Sequence, residues 1–112
     1  MTQTNDHVLS FLGLAAKAGK AVSGFQACED AIKHKKAYLV LLSADIAPST
    51  QKDYMLAAGA RNIPCYLLDT DLLGARIGRP ERKSVCIIGK EFSDIIIKEL
   101  NLLNNFGGVE QE

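Results

Sequence analysis

Apolar residues along this chain recur at helical spacing in some stretches and form short unbroken runs in others. Near the N-terminus, four of them follow the i, i+3, i+4, i+7 spacing of one helical face: Val8, Phe11, Leu12 and Ala15. Asn5 or Asp6 is suited to capping the start of this helix, and Gly19 is suited to ending it. A short extended piece over residues 21–22 is expected to follow.

The second predicted helix begins with a pattern typical of a capping box. Ser23 is followed three residues later by Gln26, so we expect Ser23 to cap a helix that starts at Gly24. The apolar stripe of this helix comprises Phe25, Cys28, Ala31 and Ile32. The helix is expected to end in a basic cluster that suits the helix dipole: His34, Lys35 and Lys36.

Three apolar runs predict strands. The run over residues 37–42 is bounded by polar residues, which is typical of a strand buried on both faces. The next strands are predicted over residues 63–68, where Pro64 is tolerable at a strand entry or edge, and over residues 84–88.

Further helices are predicted between and after these strands. Pro48 is suited to the first turn of a third helix, which Gly59 can end. A short helix capped by Asp69 or Thr70 is expected to end at Gly78. The last helix follows Gly89 and has one apolar stripe: Phe92, Ile96, Leu100 and Leu103. Alternating helices and short apolar strands predict an α/β domain with helices on both faces of a small sheet.

The composition suits one domain that covers residues 1–112. Of these residues 47% are hydrophobic, and the net charge is zero, which excludes disorder for most of the length. Residues 1–6 and 105–112 are expected to be frayed. The longest unbroken apolar run, residues 37–42, is far shorter than the roughly 20 residues that span a bilayer, so no membrane partner is expected.

No residue pattern indicates catalysis, a cofactor or a metal site. His7 and His34 have no serine, cysteine or carboxylate at a motif-like spacing, and Asp45 and Asp69 are interpreted as a turn residue and a helix cap. The run over residues 13–20 differs from a phosphate loop, because five residues separate its glycines and alanine follows its last lysine. The chain is therefore not expected to be an enzyme.

The three cysteines are interpreted as small apolar residues. Cys28, Cys65 and Cys86 each lie in an apolar run without a histidine at ligand spacing. Free thiols of this kind are typical of a reducing compartment, so the protein is expected to be cytoplasmic.

Positive charge is concentrated in two blocks, although the chain has 13 basic and 13 acidic residues. The first block comprises Lys17, Lys20, Lys33, Lys35 and Lys36. The second block comprises Arg76, Arg79, Arg82, Lys83 and Lys90. Because charges more than about 10 Å apart are largely screened, a neutral total is compatible with a local basic surface if the fold brings the two blocks together.

Five runs, taken in order, resemble the kink-turn-binding ribosomal protein superfamily, and most closely its short bacterial YlxQ-type members. They are residues 12–20 (LGLAAKAGK), 23–24 (SG), 37–45 (AYLVLLSAD), 63–64 (IP) and 73–82 (LGARIGRPER). The resemblance covers roughly residues 8–104. It implies a three-layer α/β/α sandwich around a mixed four-stranded sheet, with residues 21–22 as one strand, and RNA binding without catalysis.

The resemblance also implies where RNA would bind. In kink-turn readers the second helix begins Gly-x-Asn-Glu, with a lysine three residues after the glutamate. Gly24 matches this motif, Gln26 replaces the asparagine, Ala27 the glutamate and Asp30 the lysine. Because Ala27 lacks a carboxylate and Asp30 reverses a charge, a standard kink-turn is expected to bind more weakly than it does to those relatives.

The expected RNA surface has two halves, the start of the second helix and the loop before the last strand. Its residues are Lys20, Gly24, Phe25, Gln26, Ala27, Arg76, Arg79, Arg82 and Lys83. Phe25 is interpreted as a core residue in preference to a base-stacking one. The expected partner of a monomeric chain is structured, ribosomal RNA, with ribosomal proteins as further partners. About four phosphate contacts would give a log–log salt slope of about −3 to −4.

Two further expectations accompany this surface. No apolar neighbour gives Arg79, Arg82 and Lys83 a structural role, so their joint replacement by alanine is expected to leave stability nearly unchanged. The alternative function is a protein–protein interaction module on the same fold, which would use the third helix or the acidic last helix.

Overall fold

A computed structural model describes residues 6–103, which form helices and strands arranged around one sheet. The helices are α1 (Asp6–Lys17), α2 (Phe25–Lys33), α3 (Pro48–Gly59), α4 (Leu73–Arg76) and α5 (Lys90–Leu103). The strands are β1 (Ala21–Ser23), β2 (Leu39–Leu42), β3 (Cys65–Leu67) and β4 (Ser84–Ile87). Within residues 6–103, every helix is too short or too polar to cross a bilayer.

The sheet has the strand order β1-β4-β2-β3. Strand β4 is antiparallel to both of its neighbours, with Cys86 opposite Val22 of β1 and Val40 of β2. Strand β3 is parallel to β2 and pairs Cys65 with Val40. The expectation of a mixed four-stranded sheet that includes residues 21–22 is therefore confirmed.

Two apolar layers cover the central strands, because successive side chains of a strand point to opposite faces. Leu39 and Val85 face the layer of α1, α4 and α5, where Leu12, Leu73 and Ile96 complete the packing. The opposite face packs against α2 and α3. All residues of β2 and β4 are buried, as their continuous apolar runs predict. The three-layer α/β/α architecture is thus confirmed.

Helix ends follow local backbone chemistry, but not always at the predicted residue. Gly19 has a φ of 73° and ends α1, with the Lys20 N–H donating to the Ala15 carbonyl at 2.8 Å. Helix α3 contains Gly59 as its last residue, but the left-handed conformation falls on Asn62, whose φ is 58°. Asparagine tolerates this conformation better than most residues, so it replaces glycine here.

The predicted capping box of the second helix is wrong. Gly24, with a φ of 88° and a ψ of 160°, occupies the cap position, and no side chain caps the helix, which begins at Phe25. Ser23 is instead the last residue of β1, opposite Val85. Its hydroxyl accepts a hydrogen bond from Arg82 Nη1 at 3.3 Å.

The predicted cap of the short helix before Gly78 is also displaced. Leu72 takes the cap position of α4, while the Thr70 hydroxyl accepts a hydrogen bond from the Leu72 N–H at 3.2 Å. Thr70 therefore closes a turn two residues before the cap position and does not cap the helix. Asp69 is likewise outside the cap position.

The strand and helix bounds are narrower than the apolar runs. Strand β2 begins at Leu39, after the exposed Tyr38, and β3 is a three-residue edge strand whose Leu67 is exposed. In α5, Ile96 and Leu100 are buried as predicted. The side chain of Leu103, the expected cap Asn5 and residues 1–5 and 104–112 lie outside the described part of the chain.

Candidate nucleic-acid interface

A cleft of about 870 Å³ opens at one end of the sheet, where β1 ends and β4 begins. One wall is the start of α2, and the opposite wall is the segment over residues 81–84. The loop after β2 and the beginning of α3 close the remaining side, and Tyr54 lies at its base. The fold therefore places part of each half of the expected RNA surface on opposite sides of one cleft.

The start of α2 presents backbone donors to this cleft. The Gly24 N–H is used by the sheet, since it donates to the Ser84 carbonyl at 3.1 Å. Because no side chain caps α2, the N–H groups of its first turn are left for solvent or a ligand. The exposed Gln26 side chain adds an amide donor and an acceptor at the same place.

Arg82 joins the two walls. Its Nη1 donates to the Ser23 carbonyl at 2.6 Å and to the Ser23 hydroxyl at 3.3 Å, and its Nε donates to Glu81 at 3.3 Å. The guanidinium lies so close to Gly24 that a Cβ there would stand 3.2 Å from Cζ and would clash with Nη1. Gly24 is therefore favoured by its backbone conformation, and the absence of a side chain there leaves room for the Arg82 guanidinium.

Lys83 is engaged by the loop that follows β2. Its Nζ donates to Asp45 at 2.6 Å, and the Ser43 hydroxyl donates to the other oxygen of that carboxylate at 2.6 Å. The hydrogen bond from Lys83, followed by that from Ser43, holds the pKa of Asp45 below its ordinary value. The expectation that Arg82 and Lys83 have no structural role is therefore wrong, because their partners lie far away in the sequence.

Gly74 holds the loop that carries these two side chains. The Arg79 N–H donates to the Gly74 carbonyl at 2.8 Å, and residues 79–82 fold back over α4. A Cβ on Gly74 would stand 2.5 Å from the Arg82 carbonyl oxygen and 3.1 Å from that of Pro80. The run LGARIGRPER contains two glycines, Gly74 and Gly78, but its local pattern does not show which of them lies beneath the loop.

The base of the cleft is aromatic and buried. The hydroxyls of Tyr54 and Ser84 share a hydrogen bond of 2.7 Å, and burial raises the pKa of Tyr54 above its ordinary value. The Phe25 ring meets Tyr54 edge-on, with ring centroids 5.8 Å apart. The interpretation of Phe25 as a core residue is wrong, because its side chain is 53% exposed at the mouth of the cleft.

The two basic blocks do not meet in this cleft. Lys20 lies at the opposite end of β1 from Gly24, four residues or about 13 Å along the strand, and packs against Gly89. Arg76 borders a different groove with Lys17 of α1. Arg79 is exposed but does not line the cleft.

The charges that do line the cleft nearly cancel. Arg82 and Lys83 stand against three carboxylates, those of Asp30, Asp45 and Glu81. The expected basic surface is thus replaced by a mixed cleft in which both cations already have anionic or carbonyl partners. Summing charge along the sequence misses this, because Asp45 is brought in from another loop.

The three cysteines do not line the cleft. All three cysteines are free, and the contact between Cys28 and Cys86 lowers the pKa of Cys28 and raises that of Cys86. Burial raises the pKa of Cys65 to about 12. Among residues 6–103, the histidine, cysteine and carboxylate side chains form no group of three that could hold a metal ion.

The chain belongs to the Ribosomal protein L7Ae/L30e/S12e/Gadd45 family, whose sequence profile matches residues 6–97. This assignment confirms the resemblance carried by the five sequence runs. The α/β/α layers and the cleft beside α2 are therefore structural features of a member of this family.

Individual relatives agree with this assignment. The RNA-binding protein YlxQ of Enterococcus faecium is 28% identical over 86 residues, which is 76% of this chain and 82% of that protein. A solved structure of a Bacillus halodurans protein of unknown function has a TM-score of 0.80 and 29% identity, covering 84% of this chain and 96% of its own. The Giardia lamblia 15.5-kD RNA-binding protein has a TM-score of 0.77 over 92% of both chains, and at 16% identity it shows the shared fold.

Proposed function

We propose that this protein is a non-catalytic RNA-binding protein that acts as a monomer in the cytoplasm on structured, ribosomal RNA. The observation that carries the proposal is the cleft between the start of α2 and residues 81–84. It coincides with the RNA face that the family resemblance implies, and an Enterococcus faecium relative is an RNA-binding protein. Ribosomal proteins beside the bound RNA are further proposed partners.

The chemical groups around the cleft are better suited to binding RNA than to catalysing a reaction. Uncapped N–H groups at the start of α2 and the Gln26 amide can meet base edges or phosphates. Arg79, exposed on the adjoining loop, adds a cation that can contact the backbone of an RNA that enters the cleft. We assign to this extended surface Gly24, Phe25, Gln26, Ala27, Arg79, Arg82 and Lys83, with Lys20 and Arg76 as outlying contacts.

The cleft does not reproduce the base contacts of a kink-turn reader. Ala27 is half-buried and has no carboxylate, and Asp30 adds a negative charge at the mouth. Each lost base contact is worth roughly 1–3 kcal/mol, by analogy with DNA. The preferred RNA therefore differs from a standard kink-turn.

Binding to total ribosomal RNA tests the proposal. The full chain is titrated against this RNA in a filter-binding assay at 50 mM salt, together with Gln26→Ala and the distant surface control Lys98→Ala. We expect wild type and the control to bind and Gln26→Ala to bind several-fold more weakly. Absence of binding by the wild-type chain would refute the proposal.

A protein-binding module is the alternative, and one observation favours it. Helix α3 exposes Met55 and Leu56, the second of which is 64% exposed, outside the cleft. If these residues form an interface, Leu56→Glu abolishes capture of a ribosomal protein while the Gln26→Ala variant is unaffected. If instead Leu56→Glu has no effect on this capture and Gln26→Ala weakens binding to ribosomal RNA, the RNA-binding function is supported.

A further inference from the structure

Exposed cations gather at the end of the sheet opposite the cleft. The Lys20 carbonyl accepts a hydrogen bond from the Ile88 N–H at 2.8 Å, on one side of the end of β4. On the other side, the Tyr38 N–H donates to the Ile87 carbonyl at 2.8 Å. Lys20 therefore lies two strand spacings, or about 10 Å, from the segment over residues 36–38 that leads into β2.

The C-terminal ends of α2 and α3 lie at this same end of the sheet. Both helices begin beside the cleft and lead into β2 and β3, which start at the opposite end. Arg61 precedes β3 in the same way as Lys35 and Lys36 precede β2. We call five exposed cations of this region the basic end: Lys20, Lys33, Lys35, Lys36 and Arg61.

The cations of the basic end form no ion pair with any carboxylate of residues 6–103. In the cleft, by contrast, Arg82 and Lys83 both contact carboxylates. Glu29 and Asp53 border the basic end but remain outside salt-bridge distance of its cations. The C-termini of α1, α2 and α3 contribute about half a negative charge each, which offsets a minor part of the five positive charges. Positive charge is therefore available to an anionic ligand here and is not available in the cleft.

Lys35 occupies a backbone position that favours glycine. Its φ is 58°, in the left-handed region, and it directly follows His34, the cap residue at the end of α2. Glycine adopts this conformation without the steric cost that lysine incurs. The turn gives no reason for a lysine, so the charge of its side chain is the property that a ligand can use.

We propose that the basic end binds the phosphate backbone of a base-paired RNA segment, separate from the RNA in the cleft. This inference rests on the proposed RNA-binding function and adds a second contact surface, about 13 Å away along the nine residues of α2. Lysine side chains are flexible point charges that contact phosphates without reading bases, and a duplex presents phosphates densely. The protein thus holds two segments of a folded RNA at opposite ends of its sheet.

Charge reversal at the basic end tests the proposal. The probe is a perfectly paired RNA duplex of about 20 base pairs, titrated with the full chain at about 50 to 200 mM salt. Four phosphate contacts give wild type a log–log salt slope of about −3 to −4. We expect Lys35→Glu combined with Lys36→Glu to bind at least about 10-fold more weakly, with a slope shallower by about 2.

A matched control changes the net charge equally on other faces. Lys52 and Lys98 are exposed on α3 and α5, away from the basic end, and form no ion pair within residues 6–103. Lys52→Glu combined with Lys98→Glu should therefore bind the duplex within about 3-fold of wild type. Equal losses in the two double variants would show a response to net charge alone and would refute the proposal.

Lys35→Gly separates binding from folding. Glycine relieves the left-handed conformation, so this variant should melt at or above the wild-type temperature. It should nevertheless bind the duplex several-fold more weakly, with a slope shallower by about 1. Wild-type affinity in Lys35→Gly would remove this lysine from the surface and count against the proposal.

The outcomes distinguish the basic end from the cleft. Gln26→Ala should leave duplex binding unchanged while it weakens binding to ribosomal RNA. If Gln26→Ala weakens ribosomal RNA binding but the wild-type chain binds no duplex, the function proposed for the cleft stands and the basic end is refuted. If the duplex binds through Lys35 and Lys36 but Gln26→Ala has no effect on ribosomal RNA, the function proposed for the cleft fails. Binding of polyglutamate in place of the duplex would assign the basic end to an acidic protein partner and overturn the inference.

Discussion

Replacing Gly74 by alanine tests whether the loop over residues 79–83 is held by its contact with α4. The added Cβ would stand 2.5 Å from the Arg82 carbonyl oxygen and closer still to that of Arg79, and both are backbone atoms that cannot rotate away. The loop must then shift and lose the hydrogen bond from the Arg79 N–H to the Gly74 carbonyl.

The magnitude follows from these contacts. Overpacking in a dense region costs about 1–3 kcal/mol, and a lost backbone hydrogen bond costs about 1 kcal/mol. The higher helix propensity of alanine recovers up to about 1 kcal/mol. We therefore expect the free energy of unfolding to fall by about 2 kcal/mol, which lowers the melting temperature by about 8 °C in a domain of this size.

Thermal unfolding followed by circular dichroism measures the effect, with Gly59→Ala as the matched control. Gly59 is the last residue of α3, and a Cβ there would meet no atom within 4 Å. The control should melt at or slightly above the wild-type temperature. Because Arg82 reaches Ser23 from the displaced loop, Gly74→Ala should also weaken RNA binding. A Gly74→Ala protein that melts with wild type would refute the reasoning.

Three further perturbations test the cleft. Gly24→Ala forces a side chain into a backbone conformation nearly restricted to glycine, so it should lower the free energy of unfolding by about 2 kcal/mol in a denaturant titration. Ala27→Glu combined with Asp30→Lys should increase affinity for a standard kink-turn at least 10-fold in a gel-shift assay, and an unchanged affinity would contradict the placement of α2. Lys83→Met should raise the pKa of Asp45 measured by NMR. The Lys83–Asp45 pair stabilises the wild-type protein at neutral pH, so the difference in free energy of unfolding between wild type and variant should vanish as the pH falls through the wild-type pKa of Asp45.

Much of the fold could be predicted because its signals are local. The unbroken apolar runs marked β2 and β4, and helical spacing placed Leu12 and Ile96 on buried faces. The start of α2 was misjudged because Ser23 and Gln26 match a capping box in sequence, whereas the Ser23 hydroxyl bonds Arg82, 59 residues away. Periodicity also placed Phe25 on the inner face of its helix, but it cannot show that the packed layer ends before this residue.

The candidate RNA surface depended on a different kind of signal. Family resemblance pointed to residues 24–27 and to the loop over residues 79–83, of which residues 24–27 and 81–83 line one cleft in the fold. Charge counting then overestimated the basic surface, because it cannot show that Lys20 lies at the far end of β1 or that Asp45 pairs with Lys83. Pairings between distant segments decide the electrostatics of the cleft, and they are absent from any local pattern.

The strand order has a consequence for the making of the protein. Strands β1 and β2 do not pair with each other, because β4 lies between them, and within residues 6–103 β4 is the last strand to be synthesised. Until residues 84–87 emerge, β1 has no partner and the Gly24 N–H has no carbonyl to meet. Long-range closure of this kind is slow compared with local helix formation. A nascent chain therefore completes its sheet and forms this cleft only after residues 84–87 have emerged.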